Sequence, residues 1–278
     1  MTVPLSLELP ELLQAHDLTW LPPADGMPFR TCVDSDGVRW LVKLRGGFRA
    51  VRERAFSVIA QALGLSCQSS TYLRMPPQPS HWPFVPETHE STDDCQGAIR
   101  FLDEHPHPSR CDNCPFPTLN DQFRKRPNDI DLLRTSPFPN ILDWPRGEML
   151  GMLSEMHEPP GRLFTPDHRF VQIDNELMFS LHAGADLRHS PWVADRSGRV
   201  ISAGLQEAIR LCQQVSSLPD TVFLDALRMP QGYCPTMLWS LREEVDRIRP
   251  RARAFLQWAT QPHGFVSRHP DSRRGDNG

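Results

Sequence analysis

The sequence predicts an α+β fold in two lobes, a sheet-rich lobe followed by a helical one. Three observations lead there. A β-hairpin pattern lies between Arg30 and Leu44. Apolar stripes of helical period dominate after residue 203. Between them runs a stretch, Pro76 to Pro145, that holds many of the 28 prolines and has little regular pattern. Strands first and helices after is the order of an α+β chain.

The elements follow in turn. Residues 5–16 are mostly apolar and read as a short helix or strand. Arg30–Val33 and Val38–Leu44 are strands joined by Asp34-Ser35-Asp36-Gly37, because Asp-Gly between β-rich flanks is a strong hairpin signal. Arg45-Gly46-Gly47 breaks the pattern. A helix over 49–63 then places Val51, Ala55, Val58, Ile59 and Ala62 on one face, and Gly64 stands where a C-terminal cap belongs. Residues 65–73 and 97–102 read as strands, and 105–140 as loop. A helix over 145–156 opens with proline in its first turn. Residues 162–164 and 170–173 form a second hairpin, and helices follow over 203–217, 220–228 and 236–260, with Pro250 expected to kink or split the last. The tail after Ser267 is polar and Arg-rich and reads as disordered. No internal repeat is present.

Composition narrows the function. The chain has 278 residues, 39% hydrophobic and 23% charged, enough to bury a core. Thirty basic residues against 34 acidic ones give a net charge of −4, without the basic excess of a general nucleic-acid binder. No apolar run is long enough to span a membrane, and the first residues lack the pattern of a secretory signal. The expected location is the cytoplasm, where the seven cysteines stay reduced.

Three constellations carry possible chemistry. Lys43 ends an apolar strand, and Glu53 lies about one turn into the helix that follows. A strand lysine oriented by a helix carboxylate is what holds a triphosphate, although the same residues also suit a strand end and an exposed helix face. Asp174 follows the apolar strand Phe170–Ile173, where a Mg²⁺-binding carboxylate would sit; with Asn175 it equally suits a turn. Cys111-Asp112-Asn113-Cys114, with Cys95 before it and His89, His105 and His107 nearby, is either a set of zinc ligands or ordinary loop thiols. The zinc set is Cys95, Cys111, Cys114 and one histidine, His107 or His105. Gly46-Gly47 would let a phosphate approach the backbone, or simply make a turn.

The segment Trp40-Leu41-Val42-Lys43-Leu44-Arg45-Gly46-Gly47, followed by Arg52-Glu53 and ending Ala62-Leu63-Gly64-Leu65, resembles the N-lobe signature of the HipA-like kinases, whose fold is related to that of the phosphatidylinositol 3/4-kinases. Phe170-Val171-Gln172-Ile173-Asp174-Asn175-Glu176-Leu177-Met178-Phe179 is similar to that family's metal-binding strand, and Leu227-Arg228-Met229-Pro230 with the helix after it to the family's C-terminal helices. The resemblance spans residues 25–75 and 140–260. It implies a protein-kinase-like fold, with an N-lobe at 1–103, an insert or linker at 104–140, a helical C-lobe at 141–265 and a tail at 266–278. It also implies ATP and Mg²⁺ as cofactors and phosphoryl transfer to Ser or Thr of the chain itself or of a partner protein. Relatives of this kind act on translation factors or in toxin–antitoxin and defence systems.

Residue by residue, the resemblance implies that Lys43 contacts the α- and β-phosphates and Glu53 orients it. Asp174 binds Mg²⁺, and backbone near Leu102 and Asp103 faces the adenine. The family's catalytic loop, roughly Asn-x-Asp-Arg-His-x-x-Asn, is altered here. His157 stands at the Asp position and Arg162 at the metal-binding Asn. Histidine can act as a base near neutral pH, and Glu155 or Glu158 could replace it by a register shift. Arginine binds no metal, but it can contact phosphate. The alternative is therefore a pseudokinase that binds nucleotide or a protein partner without efficient transfer, since loss of a general base costs roughly 10²–10⁴-fold in rate.

Overall fold

The computed structural model describes residues 12–22, 29–43, 47–74, 95–100, 130–136, 138–156, 161–167, 169–173, 175, 178–179, 186–193, 203–229 and 235–260; at Leu12, Phe29, Lys43, Gly47, Phe48, Leu132 and residues 95–100 and 235–240 it describes the backbone alone. The sheet-rich part contains β1 (Leu12–Gln14), β2 (Thr19–Trp20), β3 (Phe29–Val33), β4 (Arg39–Lys43), helix α1 (Gly47–Ala62), β5 (Ser70–Arg74) and β6 (Cys95–Arg100). The strands form one sheet in the order β1-β5-β6-β4-β3-β2. Among the described residues, only the β1–β5 pair in it is parallel.

Local chemistry explains the β3–β4 hairpin. Asp34 Oδ1 accepts the backbone N–H groups of Asp36 at 3.0 Å and Val38 at 2.9 Å, and its Oδ2 accepts the indole N–H of Trp40 at 2.8 Å. Gly37 takes the positive φ, 77°, that the turn needs. Trp40 then points into the small sheet core with Cys32, Val42 and Leu73.

Helix α1 presents Val51, Ala55, Phe56, Ile59 and Ala60 to the larger core. Gly64, at φ 71°, ends it. That core continues into the helical part: α2 (Ile130–Arg134), α3 (Asp143–Leu153), the hairpin β7 (Gly161–Phe164) and β8 (Phe170–Ile173), α4 (Ala203–Ser217), α5 (Asp220–Ala226) and α6 (Pro235–Thr260). Leu205, Ala208, Leu211, Cys212 and Val215 form the buried stripe of α4.

Two expectations need correction. The stretch read as loop over 105–140 contains α2, where Ile130 and Leu133 enter the core one turn apart and Arg134 reaches Glu207 of α4 at 2.9 Å. Helix α6 is not split, for it runs continuously with Pro250 inside. Buried Ile248 and Ala252 keep its apolar stripe on both sides of the proline. Arg249 braces that turn against α5, with its guanidinium 4.5 Å from the Phe223 ring and paired with Asp220. Packing thus offsets the hydrogen bond that proline removes. Among the described residues no helix is long and apolar enough to cross a membrane.

Candidate active site between sheet and helices

The chain between α1 and β5 joins the two parts. Ser66 O accepts the Gln172 N–H at 2.9 Å, and the Gln68 N–H donates to Gln172 O at 2.9 Å, so this segment runs parallel to β8. Asn140 clamps the same place. Its Oδ1 accepts the Phe170 N–H at 2.9 Å, while its Nδ2 donates to Phe170 O at 2.8 Å and to Ser66 Oγ at 2.6 Å. Asp143, at the start of α3, accepts the Ser66 N–H at 3.1 Å. Strand β8 is therefore fixed to the N-terminal part by backbone and side chains together.

This junction sets Glu53, an expected site residue, and Asn175 around Cys67. Glu53 is not on an exposed helix face, for only 2% of its surface meets solvent. It lies within electrostatic reach of Cys67. Asn175, fully buried, donates from Nδ2 to Cys67 Sγ at 3.2 Å, and its Oδ1 accepts from Gln172 Nε2 at 2.7 Å. Burial, then the Glu53 charge, pushes the Cys67 thiol up, and the Asn175 hydrogen bond only partly opposes this. The thiol stays neutral, a spacer between the Glu53 carboxylate and the end of β8.

Lys43 closes β4, opposite Phe29 on one side and Gly97 on the other. Gly47 is the first residue of α1. Cys95 opens β6, opposite Arg74. Arg162 lies on β7 opposite Gln172, exposed, with its guanidinium 4.4 Å from the Trp144 ring centroid. Glu155 follows α3 in a left-handed backbone conformation, φ 52°, and its carboxylate pairs with Arg251 of α6. Gly46, Leu102, Asp103, His105, His107, Cys111, Cys114, His157, Glu158 and Asp174 lie outside the described residues. Among the described residues no group of three or more His, Cys, Asp or Glu could hold a metal ion.

A buried carboxylate in a largely apolar setting is stable only beside a cation or donors. Glu53 is such a group, on the helix that directly follows the strand ended by Lys43. Sequence reading alone missed Cys67, Asn140 and Asn175 as parts of this neighbourhood. The only signal was polar residues inside otherwise apolar segments.

No protein-family model matches the sequence, and no curated protein matches it. Among solved structures the chain resembles the Helicobacter pylori proinflammatory kinase CtkA, with a TM-score of 0.51 and 10% sequence identity, over 83% of this chain and 94% of that one. A second, the aminoglycoside phosphotransferase of Alicyclobacillus acidocaldarius subsp. acidocaldarius, covers 87% of this chain and 92% of its own at 12% identity, but its TM-score of 0.25 carries no weight. The fold is kinase-like, a sheet-containing N-terminal part followed by a helical C-terminal part.

Gly147 gives this site a direct test. A Cβ there would stand 1.8 Å from Gln172 Oε1. Gly147→Ala must displace the side chain that orients Asn175. Misplacing a catalytic group by about 1 Å can cost on the order of 10²-fold in rate. We expect Gly147→Ala to keep the fold by circular dichroism while lowering Mg-ATP affinity or turnover at least tenfold. Unchanged nucleotide binding and turnover would separate Asn175 from the site.

Proposed function

We propose that the chain is an ATP- and Mg²⁺-dependent phosphotransferase, a HipA-like Ser/Thr protein kinase acting in the cytoplasm on itself or on a partner protein. One observation carries the reading: the Glu53 carboxylate is buried and is linked through Cys67 and Asn175 to the end of β8.

In this reading Lys43 binds the α- and β-phosphates, and Glu53 orients its ammonium group. Gly46 and Gly47 bring backbone close to the phosphates, and the backbone near Leu102 and Asp103 faces the adenine. Asp174 holds Mg²⁺, which when bound neutralises charge on the triphosphate. His157 accepts the proton of the attacking hydroxyl, with Glu158 as the nearest substitute. Glu155 is engaged by Arg251. Arg162 on β7 supplies a cation for the transferred phosphate once it leaves the Trp144 face.

A second reading, a pseudokinase, is favoured by that last contact. A guanidinium over an indole is stabilised by roughly 0.5–1 kcal/mol at an exposed site, so Arg162 has a resting place that does not involve nucleotide. Zinc held by Cys95, Cys111, Cys114 and His107 would staple the insert in either reading. Metal analysis should then find about one zinc per chain, lost in Cys111→Ser. Zinc-free wild type would remove the staple.

Calorimetry with Mg-ATP, run beside a phosphorylation assay, separates the two readings. The kinase binds and transfers, Lys43→Ala loses affinity at least tenfold, and Asp174→Ala abolishes transfer. Binding without transfer establishes the pseudokinase. No effect of Lys43→Ala and Asp174→Ala on either measurement would overturn both.

A further inference from the structure

Glu155 opens the loop that runs to β7. A left-handed conformation at a residue other than glycine costs free energy and persists only where its surroundings hold it. Here the holders are on α6. Arg251 pairs with the Glu155 carboxylate and donates from Nη1 to Leu153 O at 2.9 Å. Beside them lies Glu244, 1% exposed, with Oε1 accepting from Arg247 at 2.9 Å and Oε2 3.5 Å from Arg251. The charge of Glu244 is also felt by Arg52 of α1, the residue directly before Glu53. The same turn is tied to the segment after β8, because Phe179, itself at φ 56°, donates its N–H to Ser154 O at 2.7 Å.

We propose that Glu244 is a positioning residue for phosphoryl transfer: together with Arg251 it holds the Glu155 turn at the end of α3 in register with the helix that carries Glu53. The proposal rests on the phosphotransfer reading above. The groups that face Glu244 are Glu155 from the loop, Arg52 from α1, and Arg247 and Arg251 from α6. Burial, then the Glu155 carboxylate, raises Glu244 from its ordinary 4.5 to about 6, against the pull of Arg247 and Arg251. A raised carboxyl favours the protonated folded state, so its contribution to stability is full below pH 4.5 and fades as pH rises through 6. Protonated Glu244 can donate to Glu155; ionised Glu244 repels it. A cavity of about 350 Å³, lined by Glu155, Arg251, Asp186, Arg188, Leu153 and Phe255 among others, opens beside Glu155.

Hydrogen exchange on the full chain tests this, corrected for intrinsic rates, at pH 5.5 and 7.5. The reporters are the amides of Met156, bonded to Gly151 O at 2.9 Å, and of Phe179. In wild type their protection should fall several-fold between the two pH values. Glu244→Gln, permanently neutral and still a donor, should remove that pH step and keep the low-pH protection. Glu244→Ala should lower protection about tenfold at both pH values while Leu211 in α4 is unchanged. Arg251→Lys, which keeps the charge but loses the forked donor, should do the same and guards against a Glu244→Ala protein that fails to fold. In the kinase assay both loosening variants should lower kcat with KM for ATP unchanged, and Glu244→Gln should restore kcat. Equal protection at Met156 and Phe179 in wild type and both loosening variants overturns the proposal, as does a loss spread uniformly through α4 or a kcat that ignores the loosening. A wild type without transfer sinks the phosphotransfer reading instead, and the exchange pattern alone then decides whether Glu244 positions the loop.

Discussion

The short pairing between residues 66–68 and Gln172 is the constraint on which the rest depends. It is the point where backbone of the sheet-rich part hydrogen-bonds directly to the hairpin of the helical part. Buried backbone groups must be paired, and a one-residue slip here would send the side chains of β8 to the opposite face. Asn140 prevents that slip. It binds both polar groups of the Phe170 backbone and at the same time the Ser66 hydroxyl. Once register is fixed, Asn175 after β8 lies against Cys67, whose thiol feels the charge on Glu53.

That placement explains why polar groups are tolerated in the interior. A buried carboxylate without compensation costs several kcal/mol, and Glu53 and Glu244 are both almost fully enclosed. Glu244 is matched by arginines on its own helix and on α1, and in the proposed function Glu53 orients Lys43. Arg52, which feels the charge of Glu244, directly precedes Glu53 on α1. Helix α1 carries both residues, and its packing against α5, including the 2.8 Å bond from Arg54 to Asp225 O, holds it to the helical part.

Much of the fold was legible because its signals are local. Asp36-Gly37 marked the first hairpin, Gly64 the end of α1, and the apolar stripe of α4 gave its bounds of 203–217. Helix α2 was not legible, since it is five residues long and proline-rich sequence surrounds it. The unbroken course of α6 through Pro250 was hidden too, because the braces from Asp220 and Phe223 come from another helix. For the site, Lys43, Glu53 and Asp174 could be singled out by residue type at the ends of strands and helices. The burial of Glu53 could not, nor could Asn140 and Cys67, whose partners are 30 and 108 positions away in sequence. Contacts of that range leave no periodic trace.

The central claim is that Glu53 and the end of β8 act as one unit across this junction. The most direct measurement is a double-mutant cycle on Mg-ATP affinity by calorimetry, with Glu53→Gln, Asn175→Ala and the pair. Residues that share one network show interaction energies of about 0.5–3 kcal/mol, whereas independent sites add within roughly 0.3–0.5 kcal/mol. The account predicts that the double variant loses less affinity than the sum of the single losses, by at least about 1 kcal/mol. Strict additivity, or single variants that bind Mg-ATP as wild type does, would contradict it.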